Sequence, residues 1–266
     1  MKHILISGYN SYIGNHFFKK YKKKYKIINY KEDINNISKF KLFTKKKKID
    51  FFIHFASLSR IQCDVNKKLC KRTNFLSIKN IINYFNTLKF KPNFIFMSSS
   101  HVYTNSSNKI REEYKKKPES LYGKLKLESE NYLKENYEKY CILRLFNIYG
   151  KNQPENFFIP DINKKIKLQK KIKLNKSIRD FIHVNDVASA VESVMNTNLR
   201  GVVDVGTGKG NKLTDIASYF HLDYIRNIGN ETERLDNTAN TKILNSHGWK
   251  NKENLYQYIE ENRNVN

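Results

Sequence analysis

The stretch HILISGYNSYIG, residues 3–14, decides the fold class. Its opening run, 3–7, is apolar and of strand length, and a helical pattern follows over 12–24. Between them lies a turn bounded by Gly8 and Gly14. A strand-to-helix turn of this kind gathers amide donors and the positive end of the helix dipole at one point, where a pyrophosphate is held. Gly8 permits the tight turn, and Gly14 lets helix and strand pack closely. Ser11 replaces the middle glycine of the usual fingerprint. Its small side chain still permits close approach, and its hydroxyl can donate to phosphate. Glycine-bounded turns are common in α/β folds, so this one gains weight only from its surroundings.

Outward from the turn, short apolar runs at 26–30, 50–55, 93–97 and 141–145 alternate with helical patterns at 37–46, 67–88 and 120–137. That alternation is the mark of βαβ units and predicts an α/β fold with a doubly wound parallel sheet over residues 1–150. Beyond Gly150 the pattern loosens, with helices expected at 160–168, 185–196, 212–220, 238–247 and 252–262. Residues 151–266 are expected mostly to form a small C-terminal lobe, with a segment near 175–200 returning to the core.

The chain has 266 residues and a net charge of +25. Lysines that dense invite a nucleic-acid reading, because basic surfaces release counterions from phosphate backbones. They are nevertheless spread along the whole chain, and the two dense runs, 19–26 and 45–48, fall near expected helix ends, where they favour the negative end of the dipole. No zinc-finger, helix-turn-helix or RNP-like motif accompanies them. The expected partner is an anionic small molecule, not a nucleic acid. No run of about 18 apolar residues exists, and the first apolar stretch is too short for a signal peptide, so a cytoplasmic protein without a membrane span is expected. Cys63, Cys70 and Cys141 are odd in number and lack metal-ligand spacing, which predicts three reduced thiols and no metal site.

Two constellations carry chemistry. In YGKLK, residues 122–126, Tyr122 and Lys126 stand four apart on a helix and therefore on one face. A phenol near its reference pKa of about 10 is a poor base at neutral pH, and a neighbouring ammonium should lower that pKa. Upstream, the strand at 93–97 runs into SSSHVY, residues 98–103. There Ser99 leaves the C-terminal end of a strand, the place where doubly wound folds keep their chemistry, and can stabilise charge on a reacting oxygen. At the end of the second strand, a carboxylate normally binds the ribose 2′-OH of NAD. Here the strand ends at Tyr30-Lys31, with Glu32 and Asp33 following. Lys31 suits the 2′-phosphate of NADP and equally suits a solvated surface position. NAD and NADP both stay open, with NADP favoured.

Taken in order, these motifs resemble an extended short-chain dehydrogenase/reductase of the NAD-dependent epimerase/dehydratase family, over nearly the whole length. The resemblance implies a Rossmann core, an NAD(P) cofactor and a nucleotide-diphosphate sugar as substrate. It assigns the cofactor loop to Gly8, Tyr9, Asn10, Ser11, Tyr12, Ile13 and Gly14, with Ser11 as the departure. Phe55, Ala56 and Ser57, from HFAS at 54–57, match the turn passing under the cofactor, and Lys31, Asp33 and Asn74 are assigned to the same site. Ser99, Tyr122 and Lys126 match the catalytic set. RLFNIYG at 144–150 places Asn147 toward the substrate diphosphate, and SIRDFIHVNDV at 177–187 places Arg179 on the nucleotide phosphates. VDVGTG at 203–208 resembles the family's late glycine turn. Ser100 and His101 line the substrate side, where the family's 4,6-dehydratases carry an Asp-Glu pair, so dehydration is disfavoured. A 4-ketoreductase is favoured slightly over a 4-epimerase. A non-catalytic NAD(P)-sensing regulator is the alternative from another class. Family members are often homodimers through a helix bundle that includes the helix matching Tyr122's.

Overall fold

The computed structural model describes residues 1–103, 116–155, 157–226 and 236–262. Strand β1 (His3–Ser7) sets Ile4 and Ile6 against one hydrophobic cluster and Leu5 against another, all three fully buried. Both faces of such a strand need cover, which parallel βαβ winding supplies. The chain continues through α1 (Tyr12–Tyr21), β2 (Lys26–Tyr30), α2 (Ile37–Thr44) and β3 (Phe51–His54). Then come α3 (Arg60–Val65), α4 (Lys67–Lys71), a π-helical turn (Arg72–Leu76) and α5 (Ser77–Asn86). β4 (Asn93–Ser99), a 3-10 turn (Ser100–Val102), α6 (Leu121–Asn136) and β5 (Tyr140–Leu145) follow. The remainder holds β6 (Asn147–Tyr149), α7 (Phe158–Lys167), β7 (Ile172–Leu174), β8 (Ile178–His183), α8 (Val184–Thr197) and β9 (Gly201–Val205). Last are β10 (Gly210–Lys212), α9 (Leu213–Tyr219), β11 (Tyr224–Arg226), β12 (Asp236–Asn237), α10 (Lys242–Ser246) and α11 (Leu255–Asn262).

The large sheet has the order β2-β1-β3-β4-β5-β9, and every pair in it is parallel. Because β2 and β3 flank β1, the winding reverses there, and a crevice opens beyond the C-terminal ends of the strands. One face packs Ile4, Ile6, Ile53 and Leu143 against Phe17 of α1 and Val187 and Val191 of α8. The other packs Leu5, Phe52, Phe94 and Ile142 against Phe40 of α2, Ile82 and Phe85 of α5 and Leu133 of α6. A smaller sheet is built around β8, which pairs antiparallel with β10 and parallel with β12 and β6. Its core contains Tyr149, Ile162, Leu174, Phe181, Ile216 and Ile259.

Three local features differ from the sequence reading. The single helix expected at 67–88 is interrupted by the π-helical turn, which carries Asn74. The helix expected at 238–247 begins only at Lys242, because the amides of Ala239 and Asn240 bond to the carboxylates of Asp180 and Asp204 instead of opening a helix. The expectation of three reduced thiols is also corrected: Cys63 and Cys70 form a disulfide, and only Cys141 is free. Asn66 ends α3 and caps α4 through Leu69 N, and the resulting reversal brings the two Cα atoms to 4.9 Å. Among the described residues no helix is long and apolar enough to cross a membrane.

Candidate active site

The turn after β1 is as tight as its glycines require. Gly8 has φ +68°, and a Cβ there would press into the backbone of Ala56; one at Gly14 would collide with the Gly8 carbonyl. Ser11 takes on a capping part as well, one that leaves its hydroxyl proton free to donate. It is the N-cap of α1, its Oγ accepting from Gly14 N at 3.2 Å, while its own amide donates to Gly8 O. The amides of Tyr12 and Ile13 have no protein partner among the described residues, which leaves the first turn of α1 with donors to offer an anion. Ala56 and Ser57, after β3, form the opposite wall, with Phe55 N bonded to Ser7 O. Ser57 Oγ reaches Asn74 Oδ1 at 3.2 Å, and that oxygen also accepts from Leu58 N at 2.8 Å. Asn74, fully buried in the π-helical turn, thus holds the wall in shape.

Beside that wall, the structure brings Ser99, Tyr122 and Lys126 together. Ser99 is the last residue of β4 and Tyr122 lies in the first turn of α6, capped by Ser120. The two hydroxyls lie near each other, close enough for Ser99 to favour the Tyr122 phenolate. Lys126 is 2% exposed; its Nζ lies 5.7 Å from the centre of the Tyr122 ring and 4.9 Å from that of Phe96, and donates to Met97 O at 2.8 Å. The electrostatics depart from the expectation of a phenol acidified by its lysine. Burial raises the Tyr122 pKa, and the nearby Ser99 hydroxyl offsets this only in part. Burial also brings the Lys126 ammonium down to about 7, with the Glu130 carboxylate pulling the other way. Both groups are short of water, so each disfavours its own charged form more than it helps the other's.

Behind them a buried charge network fixes the ends of β4, β5 and β9. Arg144 donates through Nε and NH2 to the two Glu130 oxygens at 2.9 and 2.5 Å, and through NH1 to Tyr103 Oη at 2.8 Å. Ser98 Oγ also bonds Glu130, at 2.6 Å, and Tyr103 donates to Asp204 at 2.7 Å. The Arg144 pair and the Ser98 bond hold the Glu130 carboxyl below its usual range against its own burial, whereas burial drives Asp204 up to about 6.

With this geometry in place, residues 4–206 match the NAD dependent epimerase/dehydratase family. The chain belongs to that family. Among curated relatives, ADP-L-glycero-D-manno-heptose-6-epimerase of Brachyspira hyodysenteriae is 25% identical over 203 residues, covering 70% of this chain and 63% of the relative. CDP-abequose synthase of Salmonella typhimurium is 34% identical over 140 residues, 45% of this chain and 46% of that one. The matched regions thus span less than two thirds of either relative. Solved structures share the fold. UDP-glucuronic acid 4-epimerase from Bacillus cereus, in complex with UDP-glucuronic acid and NAD, superposes with TM-score 0.84, 20% identity and 98% coverage of both chains. RMD from Pseudomonas aeruginosa, complexed with NADPH, gives 0.83, 18% and 97% of both.

The family's dinucleotide fits the residues present, since the Gly8–Gly14 cradle is one that any Cβ would fill. Lys31 lies with its Nζ 6.0 Å from the Tyr9 ring centre, beside the turn. Asp33 accepts from Asn35 and approaches Arg72 at 3.8 Å, so its carboxylate is already engaged. On the lobe side, Asn147 donates to Asp180 O at 3.0 Å, which uses one of its amide protons structurally. Arg179 stands on β8 in register with Asn211 of β10 and Asn237 of β12. The His101 ring meets the Tyr122 ring edge-on at 5.7 Å.

Several contributors escaped the sequence reading. Glu130 lies four residues beyond Lys126 on α6, a helical spacing that was there to be read. His54, fully buried, pairs Nδ1 with Ser7 Oγ at 2.8 Å and leaves Nε2 without a partner among the described residues; burial, then the Lys126 charge, pushes it down to about 3. Asp180 accepts from Thr207 N and Oγ1, Gly208 N and Ala239 N, binding two separate loops to β8 that no local pattern connects. Asn237 is buried against Ser100.

Proposed function

We propose that the chain catalyses hydride transfer between NAD or NADP and a carbon of a nucleotide-diphosphate sugar, C4 by preference, with Tyr122 as acid/base. The observation that carries this reading is the gathering of the Ser99 hydroxyl, at the end of β4, and the Lys126 ammonium beside the Tyr122 phenol. The cofactor supplies or accepts the hydride. Ser99 orients the reacting oxygen, and Tyr122 exchanges the proton with it. Lys126, whose ammonium is brought down to about 7, favours the phenolate when it carries its proton, and Glu130 supports that charge. Arg179 and Asn147 hold the diphosphate, the former through a guanidinium fork suited to phosphate oxygens. A 4-ketoreductase is favoured slightly, because no carboxylate ends β2 and Lys31, the residue after it, suits the 2′-phosphate of NADPH. The second reading is a 4-epimerase with retained NAD, the reaction named for the Bacillus cereus structure that shares this fold; the 25% identical heptose epimerase among the relatives is named for C6 and supports only epimerisation in general. Ser100 and His101 following Ser99 speak against 4,6-dehydration.

Mass spectrometry and absorbance of the purified protein separate the two readings: retained NAD supports an epimerase, and an empty site preferring NADPH supports a reductase. Cofactor binding without turnover on any nucleotide sugar would instead support a sensing regulator. Tyr122→Phe should lower turnover at least about a hundredfold while leaving cofactor affinity intact. An active variant removes Tyr122 from its role.

We further infer a cytoplasmic homodimer. Ile61, Val65, Leu69 and Leu76 are exposed along the segment that packs beside α6, and a second copy would cover them. Light scattering giving the mass of a single chain at micromolar concentration would contradict this.

A further inference from the structure

The side chain of Asn237 belongs to none of the motifs above, yet it reaches the candidate site from the smaller sheet. β12 sets it in register with Arg179 on β8, and residues in register on adjacent strands project from the same face. Its Nδ2 donates at 3.2 Å to the Oγ of Ser100, the residue directly after Ser99. Asn237 is only 9% exposed, and its Oδ1 has no hydrogen-bond partner among the described residues. A buried acceptor left without a donor is costly. Turning the amide over exchanges its two ends and leaves a buried donor unmatched instead. A hydroxyl satisfies either case, because it both donates and accepts.

We propose that Asn237 reads a ring hydroxyl of the bound sugar, beside the carbon that reacts. The identity of the site rests on the function proposed above; what is added is the residue that distinguishes one sugar from another. Asn237 touches Ser100 at the reacting end and shares a face with Arg179, the residue placed at the phosphates. A sugar linked to a nucleoside diphosphate has its ring hydroxyls between those two points. Ser100 fixes the amide's orientation, so a sugar lacking that hydroxyl leaves Asn237 buried and unpaired and is rejected.

The test is isothermal titration of the full chain, saturated with NADPH, using UDP-glucose, CDP-glucose, dTDP-glucose and GDP-mannose against UDP, CDP, dTDP and GDP. The sugar's contribution is the ratio of each pair's affinities. For the best pair, Asn237→Leu should cut that ratio about tenfold and leave the affinities for the bare nucleoside diphosphate and for NADPH unchanged. Asn237→Ser, shorter but polar, should act in the same direction and serves if the leucine variant fails to fold. Asn237→Asp keeps an acceptor and should retain most of the ratio. Equal weakening of sugar and nucleoside diphosphate, no weakening at all, or a wild-type chain that binds no sugar more tightly than its nucleoside diphosphate would each overturn the proposal. Failure of the proposed function has another signature: Asn237-dependent sugar binding without hydride passing to or from the cofactor.

Discussion

His54 and Lys126 are two buried bases under the site; burial lowers both, and the Lys126 charge lowers His54 further. For His54 the outcome is settled, since burial and the lysine charge keep it neutral down to about pH 3. An unfolded histidine titrates near 6.5. Between those values the unfolded chain binds a proton that the folded chain refuses, so stability rises with pH across the window and is lost on acidification. His54→Gln should therefore remove about 2 kcal/mol of the stability difference between pH 7 and pH 5. Urea denaturation of both chains at the two pH values measures it. Asp204, driven up to about 6, works in the opposite direction but is present in both chains and cancels in the comparison. An identical pH dependence in the variant would mean that His54 is solvated or charged in the folded state. That Ser99, Tyr122 and Lys126 come together was legible in the sequence, because they stand at fixed offsets within one helix and one strand end. Their pKa values were not. These depend on how much water the fold removes, and that is decided by Phe96, Met97 and the rest of the packing around them, far away in sequence.

The elements most readable in advance are those with a sustained period. β1, β2 and β5 match their apolar runs, and α6 and α8 begin and end within a residue or two of their patterns. What the period hid is the reversal at Asn66 and the π-helical turn after it. An amphipathic pattern continues smoothly across 67–88, whereas the inserted residue that makes a π turn leaves only a small phase change. Asn66 is both the end of α3 and the cap of α4, and the turn it makes joins Cys63 to Cys70. Both sulfurs lie against Asn74 Nδ2, at 3.4 and 3.7 Å, so the bridge braces the residue that shapes the wall behind Gly8. Closing so short a loop stabilises by about 2 kcal/mol on the chain-entropy account. Reduction, or Cys63→Ser, should lower the melting temperature by a few degrees and weaken cofactor binding more than a surface substitution does. Calorimetry with and without dithiothreitol reads the first and NADPH fluorescence the second. Insensitivity of both to reductant would show that the bridge braces nothing.

At the scale of the molecule, the parallel sheet followed from alternation alone, whereas the smaller sheet did not. Its strands are two to six residues long and are defined by pairing with β8 and by carboxylates such as Asp180, so their partners come from distant parts of the chain. The buried cluster of Glu130, Arg144, Tyr103 and Asp204 does comparable work for the large sheet, tying α6 to β4, β5 and β9 at the edge where the chemistry is placed. A buried ion pair is weak evidence of net stability, because desolvation offsets much of its attraction, but removing one partner strands the other. Arg144 is 3% exposed, with Glu130 its bidentate partner. Glu130→Leu should accordingly cost about 3–5 kcal/mol, and adding Arg144→Met should restore a good part of it. The double variant should still lose turnover, since Lys126 would be left without the carboxylate that sustains its charge and Ser98 without its acceptor. Chemical denaturation of the two single variants and the double, alongside kcat, separates the two roles. If the double variant is no more stable than Glu130→Leu, the cluster is held by something other than mutual pairing. If it recovers both stability and turnover, the site does not depend on Glu130.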